Sequence, residues 1–574
     1  MERKMKLFQV FLWDSVSSIL VAVLRITCGL ISSAKLRVGD GSGMDASTAT
    51  ATETSSPVRF DLREHPLSIV FPGLHETVQR RCFNHSNSGI CLLFMNSSVA
   101  LHVLSSYGLE PDDLARLEAT CSFFRQHGGL PPDERLPLTE LAAFDMCRRR
   151  VALASMAAAE EEALKQRCGG SYKLLLKYLL AGERACDRRE KFQVVAGPGF
   201  SIAVTSNGEV HTFGHNHSGQ LGHGTLSNEE MPRLIRSLQG VRIVQAAAGA
   251  ERTLLVTDAG RVYQCGKNYF GIPILSNSTF DSIKTPVLLE SLKDIFVVQA
   301  TIGHFLTAIL SREGRVYTLS WGVDGRLGHD TDATDRTPRL LSGVLEDKPV
   351  VQIAAGNCYL LALAFQPNGM CVYSLGCGLG GKLSHGSTDD EHHPRLIAHF
   401  AILNLQPIAL SAGSWHAIAL GKDGRVCTWG WGYNGCLGHG DEDYQNLPKV
   451  VKGLSHVKAV HVAAGLCTTF VITENGDIYS FGRGSDSNLG YPPQYGHRLD
   501  QLTPKLVTSL TCAGEKIIRL SATKEHEAAG HTFAMTESGK LYAFGMAIYG
   551  QLGIKLLQGQ DGTSSPQRVD IDLS

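Results

Sequence analysis

The sequence predicts an all-β repeat fold, a propeller or a solenoid, behind a smaller helical region. Three observations carry that prediction. A glycine-closed turn recurs seven times, at Ser206-Asn207-Gly208, Asp258-Ala259-Gly260, Arg312-Glu313-Gly314, Pro367-Asn368-Gly369, Lys422-Asp423-Gly424, Glu474-Asn475-Gly476 and Glu537-Ser538-Gly539. Successive glycines lie 52, 54, 55, 55, 52 and 63 residues apart, and a period near 50 belongs to stacked repeat units. Residues 58–190 show no such period, few glycines and long helical periodicities instead.

Each element of the repeat has a physical reading. An apolar run ending in Ala-Gly, as in 194–197, 408–413 and 460–465, suits a strand buried between neighbouring sheets. Its small residues let backbones approach closely. Asn207-Gly208 and Asn475-Gly476 are hairpin signals, because both residue types tolerate positive φ. A third strand follows, as in Val210-His211-Thr212-Phe213-Gly214 and Val426-Cys427-Thr428-Trp429-Gly430, its side chains alternating between two packed faces. A loop then carries Gly-x-Leu-Gly at Gly219–Gly222, Gly325–Gly328, Gly435–Gly438 and Gly550–Gly553. A proline-led strand closes each copy, at Pro232, Pro286, Pro338, Pro394, Pro448, Pro504 and Pro566. Proline cannot donate to a ladder, so it is expected at a strand start or a blade edge.

The 574 residues exceed one ordinary domain. Lys plus Arg number 54 against 55 Asp plus Glu, so no global field draws the chain to nucleic acid or anionic membrane. Fifteen cysteines show no Cys-x-x-Cys spacing. Cys265, Cys371, Cys427 and Cys467 fall in apolar repeat strands, as small buried hydrophobes of a reduced, intracellular protein. The apolar stretch from Leu7 to Ile31 is interrupted by Asp14 and Arg25, each costing roughly 2.5–3.5 kcal/mol at a membrane centre. Composition changes at Met44, which is expected to be an alternative start, with a membrane anchor as the weaker expectation.

These repeats resemble those of the regulator-of-chromosome-condensation family over about residues 192–574, and a plant-type member is expected. Members of that family form seven-bladed β-propellers. The combination of Gly-His with Trp-Asp that marks WD blades and the Gly-Gly of kelch blades do not recur here as a repeat. The resemblance implies an all-β seven-bladed β-propeller with a preceding small α-helical domain. Residues 1–57 are expected to be disordered or dispensable, 58–190 helical and 192–574 the ring. Residues 193–197 supply the first inner strand, so the two ends of the repeat region are expected to share one sheet and leave no open edge. Blade two departs from Gly-x-Leu-Gly at Asn268–Ile272, blade three has Ser320 for a glycine, blade four has Ser384, and blade seven carries an insertion around Lys524–Glu527.

In the helical region, 98–104 and Pro111–Arg125 are the first two helix candidates. Leu114, Leu117, Cys121 and Phe124 share one apolar face of the second, and Pro111, Asp112 and Asp113 suit its first turn. A long helix over 138–165 and an apolar one over 172–180 are expected to follow. Residues 94–125 resemble an F-box, although Met95-Asn96 stands where that family has Leu-Pro. The resemblance implies binding of a Skp-type adaptor of cullin ubiquitin ligases through Leu114, Leu117, Cys121 and Phe124. An ordinary helical hairpin packed on the propeller is the equal alternative.

No catalytic, cofactor or metal site is expected. His223, His329, His385 and His439 occupy equivalent places in separate blades and cannot converge on one ion. His416 and His531 read as core hydrogen-bonding groups. Gly376–Gly381 is glycine-rich but is read as lacking the lysine and the strand-to-helix context of a phosphate cradle. The leading expectation is a non-enzymatic protein-binding scaffold in cytoplasm or nucleus, as an F-box-like substrate receptor. The alternative is guanine-nucleotide exchange on a Ran-like GTPase. Ultraviolet-B reception ranks last. Of the stretches Gly249–Thr253, Gly303–Thr307 and Gly413–Ala417 only the third has a tryptophan, Trp415, and Trp429 and Trp431 read as core.

Overall fold

The computed structural model describes residues 109–120, 136–150, 156–185 and 192–573, apart from 269–281, 321–327, 330–334, 492–499, 512–514 and 525–529, and adds positions 101, 104–105 and 152–153. The expectations for residues 1–57 and for the first helix candidate's start lie outside them. Gly108–Ser574 forms one compact unit.

In blade one, β1 (Gln193–Ala196), β2 (Phe200–Val204), β3 (Val210–Gly214) and β4 (Glu229–Leu234) form one antiparallel sheet in chain order. The pattern repeats as seven four-stranded sheets, the chain forming a seven-bladed β-propeller with a few helices ahead of it. Every residue of β2 is buried, because second strands are covered on both faces by neighbouring blades. The hairpin after β2 has only its glycine left-handed, Gly208 at φ 88°. It is therefore a type I turn with a glycine bulge rather than one with two positive φ angles. Proline does not lead the outer strand. Pro232 is the fourth residue of β4, and Pro394, Pro448 and Pro504 sit likewise, where the missing N–H faces an unpaired edge.

The expected shared sheet does not form. Each sheet is continuous in sequence, because the repeat opens on an inner strand and the seventh copy is complete by itself. Closure comes from side-by-side packing. Ala196 N–H donates to Ser521 Oγ at 3.0 Å and Ser201 Oγ meets His531 Nε2 at 2.8 Å. Phe213 sits edge-on to Phe533 at 6.0 Å. The backbone N–H of Ser206 binds the Leu573 carbonyl at 2.8 Å, fastening the C-terminal segment to the first blade.

Inner strands are clamped to one another by glutamines. The Gln245 side chain accepts from Ala300 N–H at 3.0 Å and donates to its carbonyl at 3.1 Å. Gln299 does the same to Ile353, at 2.9 and 3.0 Å, and Gln352 to Leu410, at 2.7 and 3.1 Å. Gln193 reaches Ala246 in the same way. Blades five to seven carry Ala409, His461 and Arg519 at this position. There Ser411 Oγ accepts from Ala464 N–H at 2.9 Å instead.

Among the described residues the helices whose bounds are complete ahead of the ring are α1 (Pro111–Thr120), α2 (Leu138–Arg148), α3 (Ala158–Cys168) and α4 (Tyr172–Ala185). The single helix expected over 138–165 is two. Successive three-residue closures, Arg150 to Cys147, Leu153 to Arg150 and Met156 to Leu153, turn the chain. Glu160 then reaches back to Ala157 N–H, and Glu160 and Glu161 complement the new N-terminus. The helices are mounted on blades three and four. Tyr178 Oη donates to the Val350 and Arg312 carbonyls at 3.3 and 3.4 Å, and Arg167 Nη1 to the Glu313 carbonyl at 2.7 Å.

Replacing Gln352 by Leu strands the buried N–H and C=O of Leu410. Equilibrium urea unfolding should lose about 2–4 kcal/mol, whereas Gln501→Leu on a half-exposed outer strand should stay within about 0.5 kcal/mol.

Candidate protein-interaction site

The ring has two unlike ends. One carries the glycine turns and the helices, with a cleft of about 590 Å³ between α4 and the first blades, lined by Tyr178, Phe192, Arg242 and Phe296. The other carries the loops between first and second strands and the Gly-x-Leu-Gly loops, and it is here that side chains depart most from the repeat.

Much of this open end is scaffold. His223, His385 and His439 each place Nε2 at 2.8–3.1 Å from a hydroxyl of their own third strand, on Thr212, Ser374 and Thr428, and His329 pairs with Thr318 at 3.0 Å. Burial pushes His385 and His439 down to about 4. His416 is completely enclosed, its Nε2 at 2.9 Å from Thr469 Oγ1, and burial brings it to about 4 as well. The rings of His385, His416 and His439 are therefore neutral hydrogen-bonding members of the packing at pH 7. Among the described residues no group of three or more His, Cys, Asp or Glu side chains could hold a metal ion.

Blades four and five differ. Leu379, Trp431, Tyr433 and Tyr444 are 54, 38, 60 and 57% exposed. Trp431 is not core, as read from sequence. It stands one residue past its strand, edge-on to Trp415 at 5.4 Å, with Gly380 of the neighbouring loop against its ring. Trp429 is fully buried and donates Nε1 to the Lys382 carbonyl at 2.9 Å. The same two loops carry exposed Asp389, Asp390 and Asp443 and half-exposed Asp441 and Glu442, with Asp390 Oδ1 accepting from Gly378 N–H at 2.7 Å. Large aromatic anchors inside a polar rim are the composition of a protein-binding hot spot.

The lysine missed in the glycine-rich run is Lys382, directly after Gly381. It does not face an open cradle. Its side chain is buried, with Nζ at 2.8 Å from the Leu379 carbonyl and 3.3 Å from Cys377 Sγ. Cys265 and Cys427 are thiols that burial pushes up to about 12. Cys467 lies in a loop, one residue before its strand.

Of the residues assigned to an adaptor, Leu114 is fully buried, so in this structure its side chain serves packing where α1 meets α2 and α4 rather than a free surface. Leu117 is half-buried. Cys121 and Phe124 lie outside the described residues. The exposed patch escaped sequence reading because strand and loop tryptophans look alike in a Trp-Gly-Trp run.

Residues 174–529 match the model of the RCC1-like domain, and the chain belongs to that family. It is 31% identical over 353 residues to the human E3 ubiquitin-protein ligase HERC2, covering 61% of this chain but 7% of that protein. It is 30% identical over 332 residues to the ultraviolet-B receptor UVR8 of Arabidopsis thaliana, covering 58% of this chain and 72% of the receptor. Among solved structures, Prp20p from Saccharomyces cerevisiae aligns with a TM-score of 0.54 at 20% identity, over 67% of this chain and 89% of that one, a likeness of fold.

Acid sensitivity follows from the buried rings. His416 titrates lower in the folded than in the unfolded chain, so above pH 6.5 both are neutral and nothing is lost. Below it the unfolded chain binds a proton that the folded one refuses, and stability falls until about pH 4. Urea midpoints should decline over that window, and His416→Gln should flatten the decline by up to about 3 kcal/mol.

Proposed function

We propose that this chain is a non-enzymatic, intracellular interaction module whose open end docks a basic, partly apolar protein surface on blades four and five. The observation that supports it most directly is the exposed group Leu379, Trp431, Tyr433 and Tyr444, with carboxylates on the same two loops, at the end of the ring away from the helices. The fold itself supplies rigidity, which lowers the ordering cost of such a surface. In the finer form of the proposal, the helical region recruits a Skp-type adaptor and the propeller holds the substrate of a ubiquitin ligase. The F-box resemblance of residues 94–125 supports it, and the ring's relative HERC2 bears the name of a ubiquitin ligase. Nucleotide exchange on a Ran-like GTPase is the second reading, favoured by the shared fold with Prp20p, whose structure was reported with its binding to Gsp1p and histones.

In affinity purification of the whole chain, Trp431→Ala with Tyr433→Ala should weaken a specific partner about tenfold or more. Leu226→Ala with Leu557→Ala, equally exposed elsewhere, should not. Binding should also weaken with salt, and a partner indifferent to both changes would overturn the docking proposal. For the adaptor arm, recovery of a Skp-type adaptor by wild type and its loss with Leu117→Glu is expected. Failure of wild type to recover it removes the ligase reading. Stoichiometric protein that leaves nucleotide release from a Ran-like GTPase unchanged removes the second.

A further inference from the structure

One position recurs around the ring with different chemistry. In the six blades where both residues are described, the residue just before the second strand lies opposite the residue at or just past the end of the third, and the later N–H binds the earlier carbonyl. This joins Lys267 to Glu251 at 3.1 Å, Cys377 to Cys358 at 2.9 Å, Trp431 to Trp415 at 3.0 Å and Arg483 to Cys467 at 2.8 Å. In blades two and five the side chains at this pair touch. Glu251 and Lys267 form an ion pair at 2.5 Å, and the two tryptophans stack edge-on. In blade four the same pair is two thiols that form no disulfide in this structure. Opposed residues on antiparallel strands have Cα atoms roughly 4.5–5.5 Å apart, inside the span a disulfide bridges.

A second exception stands beside them. The variable residue of Gly-x-Leu-Gly folds back on its own loop, as the amide of Gln220 does on Ser218 N–H and that of Gln551 on Tyr549 N–H, each at 2.9 Å. In blade four this neutral filler is replaced by Lys382, fully enclosed, with Nζ 5.2 Å from the Trp415 ring centre. A buried ammonium needs an anion, and the group within its reach that can supply one is Cys377 Sγ. The Cys358 thiol, the Leu379 backbone and Lys382 bring Cys377 down to about 6 against the push of burial, while its side chain stays partly open to solvent.

We propose that Cys358 and Cys377 are a peroxide-responsive thiol pair, Cys377 attacking and Cys358 resolving, that closes to a reversible disulfide at the open end of the ring. The Cys377 thiolate attacks a peroxide oxygen. An S–O bond forms as O–O breaks, and the departing oxygen leaves as water or alcohol after taking up a proton. Cys358 sulfur then displaces the sulfenic oxygen. S–S forms as S–O breaks, and the Cys358 proton leaves with that oxygen as water. A thiol reductant reverses the bond. Because Lys382 loses its anionic partner in this step, Trp415 beside it changes surroundings. That consequence links the pair to the docking patch and rests on the reading of the patch, whereas the chemistry does not.

The test uses the full chain, reduced and then exposed to hydrogen peroxide. Mass spectrometry after alkylation should find the segment spanning Cys358 to Cys377 lighter by two hydrogens, with Cys371 still alkylated and dithiothreitol restoring the thiols. Cys377→Ser and Cys358→Ser should each abolish the change. Lys382→Gln, the side chain that two other blades carry, should slow oxidation at neutral pH by about tenfold. In the wild type, alkylation of Cys377 should rise with a midpoint near pH 6 rather than 9. Tryptophan emission should shift on oxidation, and Trp415→Phe should remove the shift. Full alkylation of both cysteines after peroxide, a sulfenic acid that never resolves, or wild-type rates in Lys382→Gln would each overturn the proposal.

Discussion

Everything in this ring depends on how closely seven inner strands must approach at the axis. At the open end that approach is backbone against backbone. A methyl group on Gly303 would strike the carbonyl oxygen of Gly356, and one on Gly413 would strike that of Gly465. The terminal glycine of each Ala-Gly run is thus a spacing requirement and not only a turn. Farther along the strands the gap widens enough for a side chain, and there the glutamines bridge each strand to the next through its own N–H and C=O. Such a clamp satisfies buried backbone groups that no ladder reaches. With the blades joined this way, no strand has to be exchanged between the first and last copies. Ser521, His531 and the Leu573 carbonyl suffice to close the circle.

The helices make one end of this symmetric object different from the other. They bind chiefly to carbonyls of turns and strand starts, at Arg312, Glu313 and Val350, which are backbone features that every blade offers. Among the described residues the helices meet blades three and four through these bonds, and α4 also packs against the inner strand of blade five. Side chains select that place: Tyr178 lies edge-on to Phe365 at 6.0 Å, and Arg312 pairs with Glu160 at 3.1 Å while covering Phe296. A repeat scaffold gains a direction from such local departures, and the same blade four that anchors α4 at one end carries Cys377 and Lys382 at the other.

Much of the ring was legible because its constraint is periodic. The seven turns, the small residues at the axis and the histidines bound to their own strands all recur at one spacing, and recurrence marks them as scaffold. The break between α2 and α3 was not legible, since Ala, Glu and Arg favour helix on both sides and only the capping contact from Glu160 fixes the restart. Nor was the burial of Leu114, because an apolar stripe looks the same whether it meets a partner or its own bundle. The pair Cys358 and Cys377 lies nineteen positions apart, in two loops of different character. Nothing in local pattern joins them until the register of the hairpin between them is known, with Tyr359 opposite Gly376.

That register also explains why chemistry concentrates at this place rather than elsewhere. Inside the blades a side chain is fixed on both faces, so a substitution must answer to volume and hydrogen bonding at once. At the outermost pair the backbone bond already holds the strand ends together, and one side of the pair faces solvent. An ion pair, a tryptophan pair or a thiol pair can therefore stand there without disturbing the sheet beneath. Lys382 is the exception that needs a reason, because it lies below that level and is wholly enclosed. A neutral amide serves the same loop in blades one and seven, so the geometry of the fold does not demand a charge. Blade three also has a cation in its sequence at this position, Arg326, so what sets blade four apart chemically is the placement of the cation beside Cys377, where it can stabilise a thiolate next to Trp415.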